Sequence, residues 1–170
     1  GEIGSLDFRE KAPLKATKNM YLDKNGDVIP NLSTDSALSV GIPGSVAAIF
    51  EVHRKFGSLP LQDLFEPAIL LAKKGIIVTE KEYQKLNEYR SKIVELSGNQ
   101  TLYAENFKVG DTIKYLALAN TLEQIIKNGE TEVYKRKTAK KLVKFLKSKG
   151  GIISLTDLKT VSDKKPNTKS

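Results

Sequence analysis

The chain has 170 residues, 39% of them hydrophobic and 28% charged, enough to bury a core within one domain and ordinary for a soluble protein. It has no cysteine and a single histidine, His53, which excludes disulfides, thiol catalysis and the usual Cys/His zinc sites. No apolar run is long enough to span a bilayer, and no signal-peptide pattern opens the chain. The formal charge of +8 is unevenly placed: residues 131–170 hold twelve Lys or Arg against three acidic residues, or +9, leaving −1 on the first 130. A basic third of this kind could face nucleic acid or anionic lipid. Lys outnumbers Arg there and few aromatics are interleaved, which is the pattern of a solvated helix face.

Ser5-Leu6-Asp7-Phe8-Arg9-Glu10-Lys11-Ala12-Pro13 alternates apolar and charged residues, which predicts a half-buried strand ending near Lys11, because Pro13 cannot donate to a ladder. Arg9 and Glu10 then stand at the strand mouth. A planar guanidinium there suits bidentate capture of a carboxylate, and it equally suits a structural ion pair with Asp7 or Glu10. Asn25-Gly26 between short apolar pairs marks a tight turn. A calcium-loop reading of Asp23–Asp27 fails, since the Asn-Gly comes one position early and Thr34 stands where a bidentate Glu is needed.

Residues 31–39 read as loop. Gly41-Ile42-Pro43-Gly44-Ser45 then opens a helix with Val46, Ile49, Phe50, His53 and Gly57 on one stripe, His53 being a core or boundary residue rather than a catalytic one. The double-glycine turn lacks the Lys-Ser/Thr of a P-loop and the third Gly of a dinucleotide fingerprint, so it reads as a close-packed turn. A short helical turn through Leu64-Phe65 is predicted to stop before Pro67, which starts a second helix ending at Gly75. Ile76-Ile77-Val78 is an extended link. Thr79-Glu80-Lys81-Glu82 matches a capping box, opening a helix with Tyr83, Leu86, Arg90, Ile93 and Val94 on one stripe and stopping at Ser97-Gly98-Asn99.

Residues 102–111 read as irregular, with a turn at Gly110-Asp111. The next helix carries Leu118, Leu122, Ile125 and Ile126 and ends at Asn128-Gly129; the one after it carries Ala139, Leu142, Val143 and Leu146. Ile152-Ile153 is a short extended pair, and Ser154-Leu155-Thr156-Asp157 caps a final helical turn. Residues 159–170 are expected to be a basic, polar, disordered tail behind a body of residues 1–158. No internal repeat is apparent, and the chain is mostly helical.

Several of these stretches, in their order, resemble the large-subunit region of the gamma-glutamyltranspeptidase (glutathione hydrolase) family. Asp7-Phe8-Arg9-Glu10-Lys11-Ala12-Pro13 is similar to its most recognisable segment, and Gly41-Ile42-Pro43-Gly44-Ser45-Val46 to its Gly-x-Pro-Gly-Thr/Ser-Val turn. Phe56-Gly57-Ser58-Leu59-Pro60, Pro67-Ala68-Ile69, Gly75-Ile76-Ile77-Val78, Gly110-Asp111, Asn128-Gly129, Tyr134 and Gly150-Gly151-Ile152-Ile153 with Asp157-Leu158 follow. The resemblance runs from about Leu6 to Leu158.

It implies a mostly α fragment of an αββα N-terminal nucleophile hydrolase, in which a precursor cuts itself into large and small subunits. The new N-terminal Thr of the small subunit attacks a γ-glutamyl amide, its own amine serving as base. Carried over from the family, Arg9 is the group that holds the substrate's α-carboxylate, and Glu10 orients Arg9 or meets the substrate amine. The resemblance implies no cofactor and no metal. The expected partners are a small subunit carrying the Thr nucleophile and a γ-glutamyl substrate such as glutathione, with no nucleic acid and no membrane span. Periplasmic, secreted or cell-surface location is implied by the resemblance alone. The family's nucleophile and oxyanion-hole residues have no counterpart here, Gly1 offers no nucleophile, and no Gly-x-Ser-x-Gly elbow is present. The chain is therefore expected to be a piece of a longer enzyme, without the part before its opening strand and inactive alone. Leu61 departs from a frequent aromatic. The alternatives are a related acylase of the cephalosporin or polyglutamate type, or a non-enzymatic basic helical binding module.

Overall fold

A computed structural model describes residues 5–163 and 168–169. In chain order the elements are β1 (Ser5–Leu6), α1 (Ser45–Phe56), α2 (Leu61–Lys74), β2 (Ile76–Ile77), α3 (Glu80–Ser97), β3 (Thr112–Ile113), α4 (Leu116–Asn128), α5 (Thr131–Tyr134), α6 (Lys137–Ser148), α7 (Leu155–Asp163) and β4 (Thr168–Lys169). Helix dominates, as the 3.6-residue periodicity requires. Among the described residues the strands are two-residue pairs: β1 with β4 and β2 with β3, both antiparallel.

The described residues fall into two units, one formed by the chain up to Leu64 together with the chain from Gln124, the other by Phe65–Glu123. In the second unit Ile69, Ala72, Val78, Ala104, Ile113 and Ala119 are buried. The α3 stripe of Tyr83, Leu86, Arg90, Ile93 and Val94 is half-buried throughout, as its spacing demands, and Arg90 Nε donates to the Ala104 carbonyl at 2.8 Å. The capping box forms: the Glu82 amide donates to Thr79 Oγ1 at 3.3 Å and the Thr79 amide to Glu82 Oε2 at 2.8 Å. The Thr79 amide, and then its hydroxyl, which donates to Glu82 Oε2 at 2.8 Å, hold the Glu82 carboxyl below its ordinary value. β3 was not expected. Ile113 is placed by its pairing with Ile76, which leaves it buried.

In the first unit the core gathers Ile42, Ala48, Tyr134, Ala139, Leu146, Ile153 and Leu158. On α6, Ala139 and Leu146 are buried and Leu142 and Val143 half-buried, while Lys140, Lys141, Lys144 and Lys147 line the exposed side. This is the solvated basic face. The one-turn helix α5, also unexpected, sits between α4 and α6 because buried Glu132 ties it forward: its carboxylate accepts from the Thr138 amide at 3.0 Å, the Thr138 hydroxyl at 2.8 Å and Asn128 Nδ2 at 3.0 Å.

Three expectations are corrected. The opening strand does not run to Lys11: β1 stops at Leu6, and Lys11 makes an isolated bridge with Ile42. Asp7 Oδ1 takes the Arg9 amide hydrogen at 3.1 Å, so that donor is lost to any ladder. Pro67 does not start a helix but lies inside α2, where it is exposed, so the Asp63 carbonyl it leaves without an i+4 donor can face water. The α1 stripe is also turned: Ala48 and Glu51 are its buried residues, Val46, Phe50 and His53 are half-buried, and Ile49 and Gly57 are exposed. His53 serves as a boundary tie, with Nε2 bonded to the Leu59 carbonyl at 2.8 Å. Of the expected tail, residues 159–163 complete α7 and 168–169 form β4; residues 164–167 and 170 lie outside the described residues.

Candidate functional site

The segment 7–10 and the turn 41–45 are brought together by two short-range devices. The Lys11–Ile42 bridge supplies a pair of backbone hydrogen bonds, Ile42 N–H to Lys11 C=O at 2.8 Å and Lys11 N–H to Ile42 C=O at 3.3 Å. Two glycines then let the turn lie flat on the segment. A methyl group at Gly41 would meet the Glu10 side chain at 2.7 Å, and one at Gly44 would overlap the Phe8 carbonyl oxygen. This close approach is the physical content of the Gly-x-Pro-Gly pattern.

Between the two stretches lies a hollow of about 380 Å³ lined by Leu6, Asp7, Phe8, Arg9, Glu10, Pro43, Gly44 and Ser45. Both expected site residues stand in it. The Arg9 side chain is 84% exposed and donates through Nε to Glu10 Oε1 at 3.2 Å. That pairing uses the Nε edge of the guanidinium and leaves the two terminal nitrogens for another acceptor. Its own backbone amide and then Arg9 hold the Glu10 carboxyl below its ordinary value, so Glu10 is an anion at neutral pH. A cation held at one edge by an anion and open at the other is suited to receive a carboxylate.

The turn is also gripped from behind. Tyr134, fully buried at the end of α5, donates its hydroxyl hydrogen to the Pro43 carbonyl at 3.0 Å and accepts the Ala47 amide hydrogen at 3.1 Å. Burial, only partly opposed by the Ala47 amide, raises the Tyr134 pKa, so the hydroxyl stays protonated and can donate. Nothing in the spacing of residue 134 ties it to residues 43–47. Its place as a lone aromatic at the end of a four-residue helix is legible only once the two are side by side. Among the described residues there is no group of three or more His, Asp or Glu that could hold a metal ion, and no helix long and apolar enough to cross a membrane.

Comparison with solved structures gives the class. The crystal structure of Helicobacter pylori gamma-glutamyltranspeptidase is 39% identical with a TM-score of 0.89, over 99% of this chain and 48% of that one. The crystal structure of cephalosporin acylase from Bacillus halodurans is 20% identical with a TM-score of 0.79, over 98% of this chain and 32% of that one, a likeness of fold alone. The chain is thus a mostly helical part of an N-terminal nucleophile hydrolase fold. The family model described as Gamma-glutamyltranspeptidase matches residues 1–165, and the chain belongs to that family. A relative, the glutathione hydrolase proenzyme of Pseudomonas aeruginosa, is 42% identical over 156 residues, which is 90% of this chain; the chain spans 27% of that relative's length.

Proposed function

We propose that this chain is the carboxylate-binding part of an enzyme that cleaves γ-glutamyl amides, glutathione among them, and passes the γ-glutamyl group to water or an amino acid. Arg9 takes the α-carboxylate of the glutamyl group through its two terminal nitrogens. Glu10 orients Arg9 through Nε and offers its remaining oxygen toward the substrate amine. The reacting Thr belongs to a small subunit: its hydroxyl attacks the γ-carbonyl, the amine leaves, and water or an acceptor amine releases the γ-glutamyl group from the ester. Family membership supports the reaction class, and the proenzyme name of the relative supports two subunits made from one precursor. The same reading places the protein in the periplasm, outside the cell or at its surface.

The observation that carries the proposal is the exposed guanidinium paired at one edge in the hollow with Glu10. In the full-length protein, Arg9→Ala is expected to lower kcat/KM for a chromogenic γ-glutamyl anilide by at least about 30-fold, the cost of losing a charge-assisted bidentate partner. An unchanged value refutes the clamp. The isolated chain is expected to give no turnover of the same substrate. A glutaryl amide, which keeps the carboxylate but lacks the α-amine that Glu10 would meet, is expected to be a poor substrate beside glutathione; the reverse preference would favour an acylase.

A further inference from the structure

We propose that Tyr134 is a positioning residue for the hollow, its hydroxyl setting the place of the Pro43–Ala47 turn and, through it, of Arg9. This rests on the reading of Arg9 as a carboxylate clamp. Gly44 is the N-cap of α1 and has no side chain to satisfy the first helical amides. The Tyr134 hydroxyl does part of that work from another element, accepting from Ala47, the third residue of the helix. Its hydrogen goes to the Pro43 carbonyl. The two bonds therefore end on either side of Gly44, the residue whose backbone rests on the Phe8 carbonyl without room for a methyl group.

Contact is continuous from the Tyr134 hydroxyl to Pro43 and Ala47, to Gly44, to Phe8 and to Arg9, the next residue. The aromatic ring alone would fill the core space, as a phenylalanine would. What the hydroxyl adds is direction: one donor and one acceptor aimed at two groups four residues apart fix the turn against rotation as well as against separation. Without it, two half-buried backbone groups lose their partner and the turn moves to recover one. Any such movement carries Gly44 across Phe8 and displaces Arg9.

The test is a double-mutant cycle in the full-length enzyme with a γ-glutamyl anilide. Tyr134→Phe is expected to raise KM about tenfold with kcat within twofold, kinetics being referred to titrated active sites so that a lower yield of processed enzyme does not enter. In an Arg9→Ala background the same substitution is expected to change KM by less than twofold, because the route ends at Arg9. A lowered melting temperature with KM unchanged, or an equal effect of Tyr134→Phe in both backgrounds, overturns the inference and leaves Arg9 in place. If Arg9→Ala itself leaves KM unchanged, the clamp reading falls and takes this inference with it. Gly44→Ala disturbs the same joint from the Phe8 side and is expected to show the same coupling to Arg9; additive effects there overturn the proposal even if Tyr134→Phe cannot be prepared.

Discussion

The buried carboxylate of Asp157 accepts the backbone amide hydrogen of Leu14 at 2.7 Å, joining positions 143 residues apart. Its second oxygen accepts from the Ser154 amide at 2.7 Å and the Ser154 hydroxyl at 2.5 Å, so one side chain both caps α7 and pins the loop that leaves Pro13. Asp157→Ala removes a charged acceptor from three donors. It is expected to cost about 2–3 kcal/mol. Hydrogen exchange at the Leu14 amide in the full-length protein should accelerate about 30- to 150-fold, since about 1.4 kcal/mol is tenfold in an opening equilibrium. Exchange unchanged at Leu14 would show that the loop is held by other means.

Acid should loosen the same unit. Burial pushes the Asp157 carboxyl up, but the Leu14 amide, the Ser154 hydroxyl and amide and its own amide together bring it below the ordinary 3.8. The Thr138 hydroxyl, against burial and with the help of the Thr138 amide and Asn128, holds Glu132 below the ordinary 4.5. Both groups bind their proton less readily folded than unfolded, so as pH falls the unfolded chain takes up protons first. Their contribution is complete above the ordinary values and is lost as pH drops through the depressed ones. The melting temperature is expected to be level with respect to these groups between about pH 6 and 8 and to fall below about pH 4.5, less steeply in Asp157→Asn and Glu132→Gln.

At Gly75 the backbone has φ +92°, and an added Cβ would stand 2.6 Å from Thr112 Cγ2 and 2.8 Å from the Ile113 carbonyl oxygen. Gly75→Ala thus combines the left-handed cost of about 1 kcal/mol with a clash against β3. We expect a loss of about 2–3 kcal/mol in urea unfolding and faster amide exchange at Val78, which donates to Asp111 at 2.8 Å.

Pro67 supplies a prediction of opposite sign. It occupies the interior of α2 and is exposed, so alanine would restore a bond to the Asp63 carbonyl without leaving a cavity. Pro67→Ala is expected to stabilise by about 1–2 kcal/mol, less than the full helix-interior penalty because the more flexible unfolded chain takes back part of it. A lowered melting temperature would show that the proline shapes the helix for a contact.

The sequence is legible where the cause of structure is local. The Thr79–Glu82 box, the α3 stripe and the glycine stops at positions 75, 98 and 129 depend on residues within one or two turns, and all are found. Arg9 and Glu10 pair for the same reason, as neighbours in one segment. What could not be read depends on long-range partners. Asp7 folds back on the Arg9 amide while Gly44 presses on Phe8, and no alternation pattern reports either event. The α1 stripe misled because Glu51, buried with Arg54 and Lys55 as ion partners, takes an inward position that an apolar residue would be expected to hold. Tyr134 and Asp157 each act across about 90 residues or more, and the sequence shows neither partner.

The grip on Pro43 and Ala47 divides the hollow into a stiff half and a pliant half. Backbone that is already fixed loses no freedom when a ligand arrives, so the ordering entropy on this side falls on the long, exposed side chains of Arg9 and Glu10. A substituent that crowds the Pro43–Ser45 wall finds main chain that does not yield. If Arg9 is the carboxylate clamp proposed above, discrimination should accordingly be sharp against bulk beside that carboxylate.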